Sequence, residues 1–220
     1  MRYRPPPPQL GARLGVLLLA LALGLFATLA ADLVHQGSIT QADAEVSSWL
    51  RARMQPAFTQ LMLTFAYLHS NTGTGLMAAI AAVVLIRRRQ VVWLPVLVSS
   101  VAGGLLLNVV VKHMFQRARP AWDDALLTLH TYSFPSGHTA GATVLWGFLT
   151  VLVFTHRPTW QWRAATVVMA VGMVSLTALS RVYLGVHHLS DVLAAAAEGC
   201  AWLVLCFMAS ARPRNGLSKA

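Results

Sequence analysis

Long apolar runs separated by short polar breaks dominate the chain, a pattern typical of membrane-spanning helices. A helix needs about 20 mainly apolar residues to cross the hydrocarbon core of a bilayer, and several segments approach that length. The predicted spans cover residues 14–34, 69–86, 91–111, 138–155, 164–181 and 189–210. We therefore predict an all-α fold, a polytopic membrane helical bundle with about six transmembrane helices.

The second span has the least defined start. Residues 58–68 are also apolar, so this span either starts earlier and runs tilted, or follows a short interfacial helix. The mixed polar and apolar segment 39–54 predicts such a helix on the membrane surface. The first apolar run is longer than the apolar part of a typical signal peptide, and we interpret it as a retained span.

The spans account for nearly all of the chain, so we predict one membrane domain over residues 1–220. It begins with a tail (1–13), a first span (14–34) and an outer segment with the interfacial helix (35–68). A five-span region (69–210) and a second tail (211–220) follow.

Composition supports the membrane interpretation. The chain is 56% hydrophobic and 11% charged, whereas soluble domains carry about 25% charged residues. The formal net charge of +10 would raise nucleic-acid binding for a soluble protein. Here the basic residues lie in the breaks between spans, so we expect membrane lipids as partners and no nucleic acid.

The distribution of charge predicts an orientation. With six spans, both termini share one side with the loops 87–90 and 156–163, and that side carries most of the arginines and no acidic residue. The positive-inside rule places such a side in the cytoplasm. We expect a multi-pass protein of the cytoplasmic (inner) membrane whose opposite side faces the periplasm or the exterior.

Three polar stretches fall at the outer ends of spans three to six. The first is KHMFQRARP, residues 112–120. Lys112 and Arg119 are seven residues apart, hence on one face if the helix continues to Pro120. Two cations on one face would clamp an oxyanion. The alternative is that both side chains anchor the span end to lipid headgroups.

The second stretch is PSGH, residues 135–138, at the predicted start of span four. Free N–H groups at a helix N-terminus bind anions. Gly137 lets the backbone approach a ligand, Ser136 adds a hydroxyl, and His138 is placed to donate a proton to a leaving oxygen. An ordinary helix start is the alternative.

The third stretch is SRVYLGVHHLSD, residues 180–191. Arg181 ends span five, and the spacing of His187 and Asp191 predicts that both lie on one face of span six. A carboxylate on one ring nitrogen fixes the imidazole tautomer and leaves the other nitrogen free to attack. A metal-binding pair or a helix-capping contact would also explain the spacing, and His188 is predicted to point elsewhere.

Together the three stretches resemble the signature of the type 2 phosphatidic acid phosphatase superfamily, whose fold is shared with vanadate-dependent haloperoxidases. The matching patterns are K-x6-R-P, P-S-G-H and S-R-x5-H-x3-D, in this order over residues 112–191. The resemblance implies a membrane lipid phosphatase that needs no metal or cofactor, with its active site at the outer ends of helices three to six.

The resemblance also implies a role for each matching residue. His187 would be the nucleophile that forms a phosphohistidine, Asp191 would orient it, and His138 would be the general acid. The phosphate would be held by Lys112, Arg119, Ser136, Gly137 and Arg181.

Three other functions stay open at this point. The same site could load vanadate and act as an oxidase, or pass phosphate to a second lipid as a phosphotransferase, and the intramembrane polar groups could belong to a non-enzymatic transporter. The candidate substrates are undecaprenyl diphosphate, which we favour, phosphatidic acid and phosphatidylglycerol phosphate. The sequence leaves the oligomeric state open.

Overall fold

The computed structural model describes residues 12–122, 127, 129, 131–156 and 159–210. Within these residues the chain forms eight α-helices and no β-strand, which confirms the predicted all-α membrane bundle. The helices are α1 (Ala12–Val34), α2 (Ser38–Arg51), α3 (Pro56–Leu68), α4 (Asn71–Arg87), α5 (Leu94–Phe115), α6 (Gly137–His156), α7 (Trp160–Tyr183) and α8 (Leu189–Ser210). Most of the two predicted tails lies outside the described residues.

Among the described helices, α1, α5, α6, α7 and α8 are each long and apolar enough to cross a membrane. The predicted second span corresponds to α4, which has 17 residues. It reaches spanning length only together with α3, and the two helices meet at a bend of 57°. The described residues then contain six candidate spans, if this bent pair is taken as one span. Residues 35–68, predicted as an outer segment with one interfacial helix, contain two helices, α2 and α3, and α3 belongs to the bent pair.

The centre of the bundle is formed by α6 and α8, with α5, α7 and α1 packed around them. The two central helices approach closely because glycine lies between them. A Cβ added to Gly199 would lie 2.9 Å from the Cβ of Thr143. Small residues of this kind let helices pack tightly in a membrane, where no hydrophobic effect drives them together.

An apolar core lies between α4, α5, α6 and α8, and large apolar side chains such as Leu106 and Val168 remain exposed on the outside of the bundle. An exposed apolar surface is expected of helices that face lipid. The core includes Trp93, Leu97, Leu145, Phe148 and Phe207.

The helix that carries Lys112 ends earlier than the sequence predicts. Gln116 adopts a left-handed backbone conformation, with φ of 47°, and its N–H bonds to the carbonyl of Lys112. Arg119 therefore lies beyond α5, and the prediction that Lys112 and Arg119 share a helical face was wrong. The segment after α5 and the turn between α7 and α8 nevertheless meet at one end of the bundle.

Candidate active site

His187 and Asp191 face each other at this end of the bundle. His187 lies in the turn before α8, and Asp191 lies in the first turn of that helix. The Nδ1 of His187 is 3.4 Å from Oδ2 of Asp191, and both residues are buried. The predicted contact is present, although the two residues do not share a helical face, because α8 begins at Leu189.

The second ring nitrogen of His187 faces a cation. Arg119 Nη1 lies 3.1 Å from His187 Nε2. Arginine has only donors, so Nε2 must accept this hydrogen bond and the ring proton belongs on Nδ1, toward Asp191. This tautomer places the imidazole lone pair on Nε2, where an anion that took over the Arg119 hydrogen bond would leave it free.

Burial keeps the His187 ring neutral. Desolvation, with the charges of Arg119 and Lys112, lowers the pKa of His187 to about 3, although the hydrogen bond and charge of Asp191 act in the opposite direction. A neutral imidazole is the form that attacks phosphorus. The ring is therefore neutral at neutral pH, the form that a nucleophilic role would require.

Arg119 and Lys112 are both held by backbone carbonyls, from the segment before α6 and, for Arg119, also from the turn between α7 and α8. Arg119 donates from Nε to Thr131 O at 2.7 Å and from Nη1 to Val186 O at 2.6 Å. Lys112 Nζ donates to Tyr132 O at 2.9 Å. These bonds, rather than a shared helix, bring the two cations to the same place.

The PSGH stretch opens α6, as predicted. The N–H of Ser136 donates to the Asp191 carbonyl at 3.1 Å, so this stretch is tied to the start of α8. A Cβ on Gly137 would lie 3.1 Å from Asn108 Oδ1, which shows how close the backbone comes to α5. His138 is only partly buried, and it lies close enough to Arg181 and Arg119 for their charges to act on its ring.

Arg181 is 1% exposed in the last turn of α7. Its Nε is buried and has no hydrogen-bond partner within the described part of the chain. A buried donor without a partner is costly, and an anion bound beside it would remove that cost. The structure thus gathers all eight sequence-predicted site residues at one end of the bundle.

The sequence patterns missed three polar residues connected to Asp191. Arg117 and Ser133 bind Asp191 directly, and Asp43 binds Arg117. Arg117 Nη1 donates to Asp191 Oδ1 at 2.6 Å, and its Nη2 donates to Asp43 Oδ2 at 2.8 Å. The Ser133 hydroxyl donates to Asp191 Oδ2. Arg117 stood in the first stretch as an unassigned cation, and no local spacing linked Asp43 on α2 to the others.

The fold and this cluster of residues place the chain in a known class. The PAP2 superfamily model matches residues 93–214, which include all of α5 to α8, and the chain belongs to that superfamily. It is a membrane PAP2 lipid phosphatase, a hydrolase of phosphoric esters, as the motif resemblance implied.

Individual relatives agree with this class. Phosphatidylglycerophosphatase B of Bacillus subtilis (strain 168) is 30% identical over 175 residues, which cover 78% of this chain and 85% of the relative. A transmembrane PAP2-type phosphatidylglycerolphosphate phosphatase crystal structure from Bacillus subtilis has a TM-score of 0.75 at 26% identity, covering 87% of this chain and 93% of that one. The Aquifex aeolicus LpxE crystal structure has a TM-score of 0.57 at 27% identity, covering 76% and 93%.

Proposed function

We propose that the chain removes a phosphate group from a membrane lipid through a covalent phosphohistidine on His187. The observation that carries the proposal is the environment of the His187 ring, with Nδ1 facing Asp191 and Nε2 facing Arg119. A phosphate held by Arg119 would lie beside the nitrogen that attacks it. Asp191 would stabilise the positive charge that develops on the ring.

In the first step, Nε2 forms a bond to phosphorus while the bond from phosphorus to the lipid oxygen breaks. His138 donates its proton to that oxygen, and the lipid alcohol leaves. In the second step, His138 takes a proton from water, the water oxygen bonds to phosphorus, and the bond from phosphorus to nitrogen breaks. Inorganic phosphate leaves, and both histidines return to their starting states.

The remaining residues would hold the phosphate oxygens. Phosphoryl transfer needs mainly positioning and positive charge around those oxygens. Lys112, Arg119 and Arg181 provide the charge, and the unpartnered Nε of Arg181 supports an anion at this position. Ser136 and the N-terminal N–H groups of α6 at Gly137 add neutral donors.

We propose phosphatidylglycerol phosphate as the substrate. Phosphatidylglycerophosphatase B of Bacillus subtilis and the crystallised phosphatidylglycerolphosphate phosphatase from Bacillus subtilis, both similar to this chain, have this activity in their names. Undecaprenyl diphosphate, favoured from the sequence, and phosphatidic acid are the competitors to be tested beside it. We also propose that the site faces away from the cytoplasm, because basic residues concentrate on the opposite side.

The test uses the purified full chain in detergent with a panel of the three lipids. We expect inorganic phosphate to be released fastest from phosphatidylglycerol phosphate. A phosphohistidine is labile in acid and stable in base, so rapid quenching without acid should trap phosphate on the protein. His187→Ala should abolish trapping and turnover. Phosphate that is still trapped on the protein in His187→Ala would contradict His187 as the nucleophile. Transfer of the phosphate to another lipid instead of water would indicate a phosphotransferase. Faster turnover of another lipid in the panel would replace phosphatidylglycerol phosphate as the proposed substrate.

A further inference from the structure

A buried acidic residue on α2 is connected to the active site. Asp43 is 2% exposed, and it lies outside residues 93–214, which match the superfamily model. One of its oxygens accepts from the backbone N–H of Ser190 at 2.9 Å. The other accepts from Arg117 Nη2 at 2.8 Å. An interior carboxylate with these partners is bound to the N-terminus of α8.

Arg117 connects this carboxylate to Asp191. Its two terminal nitrogens point to different acids, with Nη1 2.6 Å from Asp191 Oδ1 and Nη2 2.8 Å from Asp43 Oδ2. The side chain of Arg117 is 9% exposed. A planar guanidinium held at both ends has a fixed orientation, so the direction of its bond to Asp191 is fixed as well.

Asp191 is thereby held from both of its oxygens. Arg117 binds Oδ1, while Oδ2 accepts from the backbone N–H of His188 at 2.8 Å and from Ser133. With both oxygens held, the carboxylate cannot rotate about its bond to Cβ. Its Oδ2 stays directed at Nδ1 of His187.

We propose that Asp43 and Arg117 are positioning residues that act through Asp191 to hold His187 in its attacking orientation. The proposal rests on the proposed role of His187. It makes α2 a functional part of the enzyme, because Asp43 fixes Arg117 from that helix. Substituting the residues that orient metal-binding histidines typically costs on the order of 10-fold to 100-fold in activity, and we expect losses of similar size for Asp43 and Arg117.

A purely structural role is the alternative, since Asp43 also caps α8 through Ser190. The two roles differ in how substitutions combine. If Asp43 and Arg117 act through Asp191, removing Asp191 must remove the benefit that they confer. If they only join helices, their effects must multiply with that of Asp191→Asn.

The experiment measures the rate of phosphoenzyme formation by rapid quench, together with KM, in the full chain. We expect Asp43→Asn to slow this rate about 10-fold with little change in KM, and Arg117→Lys to retain more activity than Arg117→Gln. In the Asp191→Asn background, Asp43→Asn should have almost no further effect. Glu45→Gln, on the exposed face of α2, is the matched control and should behave as wild type.

The outcomes separate this inference from the proposed function. Absence of phosphate on His187 in the wild-type enzyme would overturn the function itself. Phosphoenzyme formation at the wild-type rate in Asp43→Asn and Arg117→Gln, or equal slowing with and without Asp191, would overturn the positioning role alone. If Arg117→Gln fails to fold, the Asp43→Asn and Asp191→Asn combination still decides between the two roles.

Discussion

The two active-site histidines have different surroundings. His187 is 2% exposed and contacts both a carboxylate and a guanidinium. His138 is only partly buried at the start of α6. A buried ring that stays neutral suits a nucleophile, whereas a partly exposed ring can exchange its proton and suits proton transfer.

Replacing His138 should have an effect that depends on the leaving group. We expect His138→Ala to lower turnover of a lipid phosphate by about 10²–10⁴-fold, because an alkoxide leaves poorly without a proton. With p-nitrophenyl phosphate the loss should be much smaller, since nitrophenolate needs no proton. Asp191→Asn provides the comparison and should slow both substrates by similar factors. Equal losses for His138→Ala on both substrates would exclude the general-acid role.

The lowered pKa of His187 predicts a pH-dependent stability. Its folded value of about 3 lies below the ordinary 6.5, so the unfolded chain binds the proton more tightly. The stabilisation is full above pH 6.5 and is lost as the pH falls toward 3. We expect the Tm of the wild type to fall by roughly 5–10 °C more than that of His187→Gln between pH 7 and pH 4.

A suitable control for this titration is Gly172→Ala on α7, because the added Cβ would meet no atom within 4 Å. Its Tm should follow the wild-type pH profile. Parallel profiles for the wild type and His187→Gln would show that His187 is protonated as readily in the folded protein as in the unfolded one.

The cations of the site also predict its response to chelators. No group of three or more potential metal-ligating His, Cys, Asp or Glu side chains occurs among the described residues. In the proposed mechanism, the positive charge that phosphoryl transfer needs comes instead from Lys112, Arg119 and Arg181. We expect full activity in EDTA and strong inhibition by vanadate. Activity that is lost in EDTA and restored by magnesium would contradict this mechanism.

At the scale of elements, the short turn between α7 and α8 brings the third motif together. Gly185 lies in this turn with φ of +70°, a conformation that costs other residues about 1–2 kcal/mol. The turn separates Arg181 at the end of α7 from His187. A change in its path would therefore move Arg181, the proposed phosphate-binding residue, relative to His187, the proposed nucleophile.

Gly185→Ala should lower both Tm and kcat. Besides the strained backbone, a Cβ there would lie 2.8 Å from the Trp122 indole nitrogen, so the indole or the turn must shift. We expect kcat to fall about 10-fold, since small misplacements of reacting groups are costly. Gly172→Ala on α7 is the control, because its Cβ would meet no atom within 4 Å. Unchanged kcat in Gly185→Ala would mean that the turn tolerates a side chain.

At the scale of the whole molecule, the end of the bundle that holds the site should face outward. Leu129 lies before α6 and is 38% exposed, whereas Trp160 begins α7 at the other end and is 72% exposed. In a background lacking Cys200 and Cys206, we expect Leu129→Cys to react with a membrane-impermeant reagent in intact cells. Trp160→Cys should react only after lysis, and the reverse pattern would invert the orientation.

The sequence by itself determined the helical membrane fold, because apolar runs of this length have few alternatives in a bilayer. It also determined the eight candidate residues of the site. They lie in three motifs between residues 112 and 191, and the order of these motifs and their residue types indicate the chemistry. The contact between His187 and Asp191 follows from their short separation along the chain.

Only the tertiary structure decided how the three motifs meet. The left-handed Gln116 ends α5 before Arg119, and carbonyls from a distant segment return this arginine to His187. The bond from Asp43 through Arg117 to Asp191 joins residues separated by 74 positions at each step. Such contacts depend on how α2 packs against α8, and no local periodicity encodes that packing.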